Sequence, residues 1–300
     1  MTDTAWRTGD VAGVVGAGVM GVGVTQCLVT AGYEVVTVDT DPAALAGAPG
    51  RLRDGLRLHR LLRPGAGGAS PTEPTSSRVR WSDRLPDLSD ASFVVECARE
   101  KPSVKEGLFR ELDVLCPPWT VLASCTSAIP VARLAAVTGR ADRVLGMHFM
   151  NPAPLKDTVE VVITAATSGN TLDRALALLG SLGKRGIVVS DAPGFVSNRI
   201  LMLTINEAAT VVEAGTADAA QVDDVFRSCF GHPMGPLATA DLIGLDTVLD
   251  SLDVLREHTG DDRFRTCPLL VRLVGEGRTG RKSGAGFHDY RRSATRRSPA

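Results

Sequence analysis

The first 190 residues alternate between short apolar runs and segments whose apolar residues recur at helical spacing. The apolar runs predict strands at residues 11–15, 34–38, 93–97, 121–124, 144–149, 159–163 and 187–189. The helical spacings predict helices at residues 19–31, 51–63, 103–115, 131–137 and 172–182. Strands that alternate with helices predict an α/β fold, with a mostly parallel, doubly wound sheet that carries helices on both faces.

The pattern changes near residue 191, where the strand signals stop at an Ala-Pro-Gly sequence. Between residues 196 and 274, apolar side chains such as Ile205, Ala209 and Val212 recur at three- and four-residue steps, which indicates helices. We therefore expect one domain over residues 1–190 and an all-α domain over residues 191–290. The tail, residues 291–300, contains four arginines and no acidic residue, and we expect it to be disordered.

Charge and cysteine usage exclude several classes of protein. Lys plus Arg number 33 and Asp plus Glu 34, a net charge of −1, so the chain lacks the basic excess of a nucleic-acid-binding domain. Its six cysteines form no C-x-x-C pair, and its five histidines show no zinc-type spacing, so we expect no metal site. The polar start lacks a basic segment before an apolar one, so we expect no secretory signal and reduced thiols in the cytoplasm.

The uncharged stretch from residue 11 to 33 has two interpretations. It is long enough to span a bilayer. It also contains six glycines, together with Thr25 and Gln26, which favour a strand, a tight turn and a helix instead. We expect the second interpretation to hold, and therefore no membrane segment.

A nucleotide-binding fingerprint lies in that same stretch. Residues 16–21 match G-x-G-x-x-G between a predicted strand and helix, and the candidate cofactor residues are Gly16, Gly18, Val19, Met20 and Gly21. Asp39 ends the second predicted strand, where a carboxylate can accept hydrogen bonds from ribose hydroxyls and would repel a 2′-phosphate. The pattern predicts a Rossmann-type domain that binds NAD rather than NADP; a buried glycine-rich turn with a capping Asp is the alternative.

A candidate base lies at the end of the strand predicted at residues 144–149. His148 opens a proline-rich loop, and Glu160 lies in the next strand, so the loop can bring the carboxylate beside the imidazole. Such a Glu orients the ring and stabilises the imidazolium that forms when the histidine removes the proton of an alcohol. The alternative is a histidine that only packs at the end of a strand.

Seven motifs in order show that the chain resembles the 3-hydroxyacyl-CoA dehydrogenase family over about residues 10–290. They are GAGVMG (16–21), SCTS (124–127), HFMNP (148–152), VEVV (159–162), DAPGFVSNR (191–199), PMGP (233–236) and GRKSGAGFHDY (280–290). The resemblance implies NAD-dependent interconversion of an L-3-hydroxyacyl thioester and its 3-oxoacyl form. It also implies a homodimer joined through the helical domain, although helix packing within one chain would produce the same apolar pattern.

The resemblance also implies roles for individual residues. His148 is the general base, Glu160 its orienting partner, and Ser127 a hydrogen-bond donor to the substrate oxygen or the nicotinamide region. Asn198 positions the substrate, and Asn151 lies where nicotinamide and substrate meet. Glu100, Lys105 and Lys282 match positions near the cofactor; a solvated surface lysine is the alternative for Lys105 and Lys282.

The chain departs from the family pattern in three places. Cys125 replaces the usual Asn of the serine motif and Ala128 a second Ser, and the loop at residues 154–158 is unusually polar. The third departure is the segment at residues 48–77, where prolines including Pro49 interrupt the usual helical hairpin. Its helix at residues 51–63 carries five arginines against one aspartate, and residues 64–77 are expected to form a flexible loop.

These departures leave both the role of the arginine-rich helix and the function of the chain open. The arginine-rich helix can hold the phosphates of CoA, it can dock an acidic acyl carrier protein, or it can be an ordinary solvated face. A polar pocket on a carrier protein would fit a short hydroxyacyl group, such as a glyceryl thioester used in polyketide extender-unit synthesis. Beside an enzyme that acts on CoA esters and one that acts on a carrier protein, the third hypothesis for the function is a non-catalytic structural relative, which need not retain Ser127, His148, Glu160 and Asn198 together.

Overall fold

The computed structural model describes residues 11–62 and 75–291 and divides into two compact units between Asp191 and Ala192. The strands of the first unit are β1 (Val11–Val15), β2 (Glu34–Val38), β3 (Val79–Ser82), β4 (Phe93–Glu96), β5 (Val121–Ser124), β6 (Val144–Phe149), β7 (Thr158–Ile163) and β8 (Arg185–Ser190). Its helices are α1 (Val19–Thr30), α2 (Pro42–Leu62), α3 (Pro102–Leu115), α4 (Val131–Ala135) and α5 (Gly169–Ser181).

These strands form one sheet in the order β3-β2-β1-β4-β5-β6-β7-β8. Neighbouring strands run parallel except β6 and β7, which are antiparallel. The central strands are buried because both of their faces carry apolar side chains, such as Val14, Val95 and Leu145, under helices. The fold is therefore the predicted doubly wound, Rossmann-type sheet.

Two details differ from the sequence prediction. The prediction omitted β3, since this edge strand has no apolar run and is only partly covered. Pro49 was expected to interrupt its segment but lies inside α2, because the buried side chains of Ala48 and Leu52 hold the helix against the core on both sides of it. Most of the loop expected at residues 64–77 lies outside the described residues, and so does the tail after Arg291.

The second unit is helical, as predicted. It consists of α6 (Ser197–Glu213), α7 (Ala219–Phe230), α8 (Pro236–Ile243), α9 (Leu245–Thr259) and α10 (Pro268–Gly275). Its core contains Met202, Leu237, Leu252 and Phe264.

Two buried aspartates hold the end of this second unit together. Asp241 accepts hydrogen bonds from the backbone N–H groups of Phe287 and His288, both at 2.9 Å. Asp223 accepts from the backbone N–H of Leu237 and lies 2.7 Å from Nε2 of His288. The motif at residues 280–290 is thus fixed to α7 and α8.

Within the described ranges, the structure contains no helix both long and apolar enough to cross a membrane. The uncharged stretch at residues 11–33 instead forms β1, α1 and the turn before β2. Gly32 ends this helix with φ of 97°, a backbone conformation that glycine adopts without strain.

Candidate active site

The glycine-rich turn between β1 and α1 has the geometry of a phosphate-binding loop. Gly16 has φ of 102°, and a Cβ there would lie 2.7 Å from the carbonyl oxygen of Cys97. A Cβ on Gly21 would overlap the carbonyl oxygen of Gly16, so helix and turn are in direct contact. A Cβ on Gly18 would meet no described atom within 4 Å, so the backbone there borders open space at the start of α1. This turn therefore fits a pyrophosphate, which the positive end of the helix attracts.

Val19, Met20 and Asp39 are the remaining cofactor candidates around the turn. Val19 is 68% exposed in the first turn of α1, whereas Met20 packs against the core. Oδ2 of Asp39 accepts a hydrogen bond from the backbone N–H of Ala17 at 2.6 Å, and Oδ1 accepts one from Asp41 at 2.9 Å. An ionised carboxylate has about four lone-pair sites, so Asp39 can bind a ribose hydroxyl as well.

Arg51 is a neighbour of this turn that the sequence analysis placed only within a basic helix. Its Nη2 donates to the carbonyl oxygens of Ala17 at 2.8 Å and Ala44 at 2.7 Å. The hydrogen bond to Ala17 connects α2 with the glycine-rich turn, although the two residues lie 34 positions apart in the sequence. A local sequence pattern does not predict a contact between residues so far apart.

His148 and Glu160 face each other on antiparallel strands β6 and β7. They are a register pair, and Nδ1 of His148 lies 3.0 Å from Oε2 of Glu160. Both side chains are buried. A hydrogen bond from Nδ1–H to the carboxylate fixes the tautomer whose Nε2 carries the lone pair, so the imidazole can accept a proton there. The structure thus brings together the pair that the sequence suggested.

Glu100 holds the turn that carries Ser127. Its Oε1 accepts hydrogen bonds from the backbone N–H groups of Ser127 at 2.8 Å and Ala128 at 3.1 Å, and also from the hydroxyl of Thr126. Because these bonds converge on one carboxylate oxygen, Glu100 fixes the backbone directly after β5. Ser127 and Glu100, predicted separately, therefore belong to one local arrangement.

Lys105 is a buried residue, so its interpretation as a solvated surface lysine is wrong. The side chain is 1% exposed, and Nζ lies 2.8 Å from Oε1 of Glu96 and 3.4 Å from Oε2 of Glu100. Burial disfavours the charged ammonium, but the carboxylates of Glu96 and Glu100 outweigh it and raise the pKa of Lys105. Ser124 also donates to Glu96 at 2.7 Å, so this network connects β4, β5 and α3.

A cleft between α1, α2 and the turn after β6 contains Asn151. Its lining includes Arg51, Leu58, His59, Asn151 and Pro154. Nζ of the buried Lys184 donates to the carbonyl oxygens of Ala153 at 2.8 Å and Lys156 at 2.6 Å, which holds the turn in place. Sequence reasoning missed Lys184, since a lysine directly before a strand has no distinguishing pattern.

Asn198 and Lys282 lie in the second unit. Asn198 is in the first turn of α6. Nζ of Lys282 forms an ion pair with Asp246, at 2.6 Å from Oδ1 and 2.5 Å from Oδ2, and its side chain is about half exposed.

Comparisons with known proteins agree with this geometry. Two family models match the chain: the NAD binding domain of 3-hydroxyacyl-CoA dehydrogenase over residues 11–192, and its C-terminal domain over residues 194–290. A probable 3-hydroxybutyryl-CoA dehydrogenase of Bacillus subtilis (strain 168) is 43% identical over 277 residues, covering 92% of this chain and 96% of the relative. The 3-hydroxybutyryl-CoA dehydrogenase of Bradyrhizobium diazoefficiens is 39% identical over 279 residues, with coverages of 93% and 94%.

A solved structure agrees with these matches. The crystal structure of (S)-3-hydroxybutyryl-CoA dehydrogenase from Ralstonia eutropha has a TM-score of 0.85 to this chain at 37% identity, covering 93% of this chain and 98% of that one. A fold matched over so much of both chains is that of an NAD-dependent oxidoreductase that acts on a CH–OH group. The chain belongs to the 3-hydroxyacyl-CoA dehydrogenase family, which confirms the resemblance seen in its motifs.

Proposed function

We propose that this chain interconverts 3-hydroxybutyryl-CoA and acetoacetyl-CoA with NAD, and that His148 is the general base. The observation that carries the proposal is the buried pair of His148 and Glu160, 3.0 Å apart on adjacent strands. The names of relatives at about 40% identity support a short acyl group. The polar residues at positions 156–158 fit a small substrate better than a long apolar chain.

The proposed oxidation begins with proton transfer to the protein. Nε2 of His148 accepts the proton of the 3-hydroxyl group, and the carboxylate of Glu160 stabilises the resulting imidazolium. NAD⁺, when bound, supplies the hydride acceptor. The imidazolium then releases its proton to solvent. A positioned base contributes about 10²- to 10⁴-fold in rate.

The other predicted residues bind and orient in this proposal. Gly16, Gly18, Val19, Met20, Gly21 and Asp39 hold the cofactor, with Glu100, Lys105, Asn151 and Lys282 near it. Ser127 donates a hydrogen bond to the substrate oxygen, and Asn198 positions the substrate. Glu100 supports Ser127 through the backbone bonds described above.

The carrier in this proposal is CoA. Arg53, Arg57 and Arg60 are exposed on α2, and Arg51 lines the cleft beside Asn151. These guanidinium groups suit the phosphates of CoA, since Arg can bind a phosphate through two parallel hydrogen bonds. They would also suit the acidic surface of an acyl carrier protein, so the carrier has to be tested directly.

The test measures NADH consumption with acetoacetyl-CoA beside the same acyl group on an acyl carrier protein. We expect turnover with the CoA ester, and His148→Ala should lower kcat by at least ~10²-fold while NADH still binds. His258→Gln, a histidine change in α9 of the second unit, is the control and should retain activity. Equal activity of wild type and His148→Ala would refute the base, and turnover on the carrier protein alone would refute the CoA ester.

We also propose a cytoplasmic homodimer. Ile200, Val225 and Phe230 are exposed apolar side chains of the second unit, with Phe230 at 64% exposure, and a second copy could cover them. Size-exclusion chromatography with light scattering should give twice the chain mass of 31.5 kDa, and Phe230→Glu should shift it toward the monomer. A monomeric mass for the wild type would contradict the dimer. Cell fractionation tests the location, and we expect the protein in the cytoplasmic fraction.

A further inference from the structure

Two cysteines lie side by side where β4 and β5 end. Glu96 and Ser124 are register partners on these strands, and Ser124 donates a side-chain hydrogen bond to Glu96, so both side chains lie on one face of the sheet. Cys97 and Cys125 come next and lie together on the opposite face, because successive side chains of a strand alternate. The backbone N–H of Cys125 donates to the carbonyl oxygen of Glu96 at 2.7 Å, which fixes the two chain segments together.

The spacing permits a covalent bond between the two sulfur atoms. Neighbouring strands lie about 4.8 Å apart, which falls within the Cα separation of about 4.4–6.8 Å that disulfides span. Both thiols are free and both residues are partly exposed, whereas Cys27, Cys116 and Cys267 are buried. Because part of each residue borders solvent, a small oxidant reaches this pair more readily than it reaches the three buried cysteines.

The two thiols also differ in chemistry. The hydrogen bond with Cys97 lowers the pKa of Cys125 against the opposing effect of burial, and the ammonium of Lys105 acts in the same direction as the hydrogen bond. The same hydrogen bond, together with burial, raises the pKa of Cys97. In the proposal below, Cys125 is therefore the sulfur that attacks first, and Cys97 is the neighbouring sulfur that resolves the product.

We propose that Cys97 and Cys125 form a reversible disulfide that inactivates the protein when a hydroperoxide is present. The thiolate of Cys125 attacks one peroxide oxygen, which breaks the O–O bond, forms a sulfenic acid and releases water after protonation. The sulfur of Cys97 then displaces the sulfenic hydroxyl, which leaves as a second water while the S–S bond forms. The two thiols are oxidised and hydrogen peroxide is reduced to two waters.

The position of the pair explains why such a bond would stop the reaction. The carbonyl oxygen of Cys97 lies against Gly16, and its Cβ is 3.6 Å from where a Cβ of Gly21 would be. Cys125 lies close enough to His148 for an electrostatic interaction between the two side chains. A disulfide would join the two side chains at a point between the glycine-rich turn and the strand that carries the base, and would so disturb the residues that contact them.

The experiment treats the whole protein with hydrogen peroxide, blocks the remaining thiols, and maps tryptic peptides by mass. We expect the peptide of residues 85–99 linked to that of residues 111–133, with fragment ions that place the link at Cys125 rather than Cys116. NADH-dependent activity should fall in proportion to the linked fraction, and dithiothreitol should restore it. Cys97→Ala should lose the link and leave Cys125 as a sulfenic acid, while Cys229→Ser, which changes an exposed cysteine of α7, should behave as wild type.

Several outcomes would overturn the proposal. Activity loss without the linked peptide would refute the disulfide, and loss prevented by Cys229→Ser would move the sensitive thiol to the second unit. A complete link with unchanged activity would refute the inactivation. The link is read by mass in wild-type protein, so it does not depend on which acyl thioester is the substrate.

Discussion

Nζ of Lys105 lies 2.8 Å from Oε1 of Glu96, and each side chain is only 1% exposed. This ion pair connects α3 to the end of β4, directly before Cys97 and close to the carboxylate that holds Ser127. A second bond from Ser124 extends the network to β5. The pair therefore supports two of the strand ends from which the site is built.

Removing Lys105 should destabilise the first unit strongly. Lys105→Met leaves Glu96 as a buried charge without its cation, which costs about 3–5 kcal/mol in free energy of unfolding. Lys101→Met, at an exposed lysine four positions earlier, should change the free energy of unfolding by less than ~0.5 kcal/mol. Urea unfolding measures this free energy for both lysine variants. Adding Glu96→Gln to Lys105→Met should recover part of the loss, and equal losses for the two lysine variants would contradict the buried pair.

The glycines of the turn should separate cofactor binding from folding. Gly18→Ala adds a Cβ into open space, so the free energy of unfolding should stay unchanged. The Cβ would occupy space that the pyrophosphate needs, so the Kd for NADH should rise about 10-fold, or ~1.4 kcal/mol. Gly21→Ala brings a Cβ against the carbonyl of Gly16 and should cost about 1–3 kcal/mol of stability. Gly107→Ala, in an open position of α3, is the control and should stabilise by about 0.4–1 kcal/mol.

Thermal melting and NADH fluorescence titration together measure these three variants. Unchanged NADH affinity in Gly18→Ala would mean that the pyrophosphate does not approach this backbone.

Glu160→Gln tests the carboxylate beside the base. The amide keeps the shape and can still accept from Nδ1 of His148, but it removes the negative charge that stabilises the imidazolium. We expect kcat to fall by about 10²-fold with the KM for NADH nearly unchanged. Steady-state kinetics measure this, with Glu257→Gln on the exposed face of α9 as the control. A loss confined to KM would assign Glu160 to binding instead.

The second unit offers a matched pair of adjacent aspartates on α7. Asp223 is buried and accepts from the backbone N–H groups of Leu237 and Ala238, both at 2.9 Å. Asp223→Ala leaves these donors without a partner and should cost about 1–3 kcal/mol of stability. Asp224→Ala removes only a surface ion pair with Arg227 and should cost less than ~1 kcal/mol. Urea unfolding measures both variants, and similar midpoints would contradict a stabilising role for the hydrogen bonds that Asp223 accepts at the start of α8.

The sequence alone determined the fold class, the βαβ start and the candidate base. Short buried strands and amphipathic helices leave distinct periodicities, and the turn at Gly16 and Gly21 admits almost no other residue, so local pattern carries that information. The pairing of His148 with Glu160 was also within reach, because only a short loop separates their strands. The edge strand β3 could not be predicted in this way, because it buries too little surface to require an apolar run.

The tertiary structure decided which residues meet across long stretches of chain. Lys105 became the buried partner of Glu96, Arg51 reached the carbonyl of Ala17, and Cys97 came beside Cys125. These contacts follow from the order of strands in the sheet, which places β4 next to β5 and α2 next to the glycine-rich turn. Burial of a charge or the contact of two thiols depends on that three-dimensional arrangement, and no spacing along the sequence encodes it.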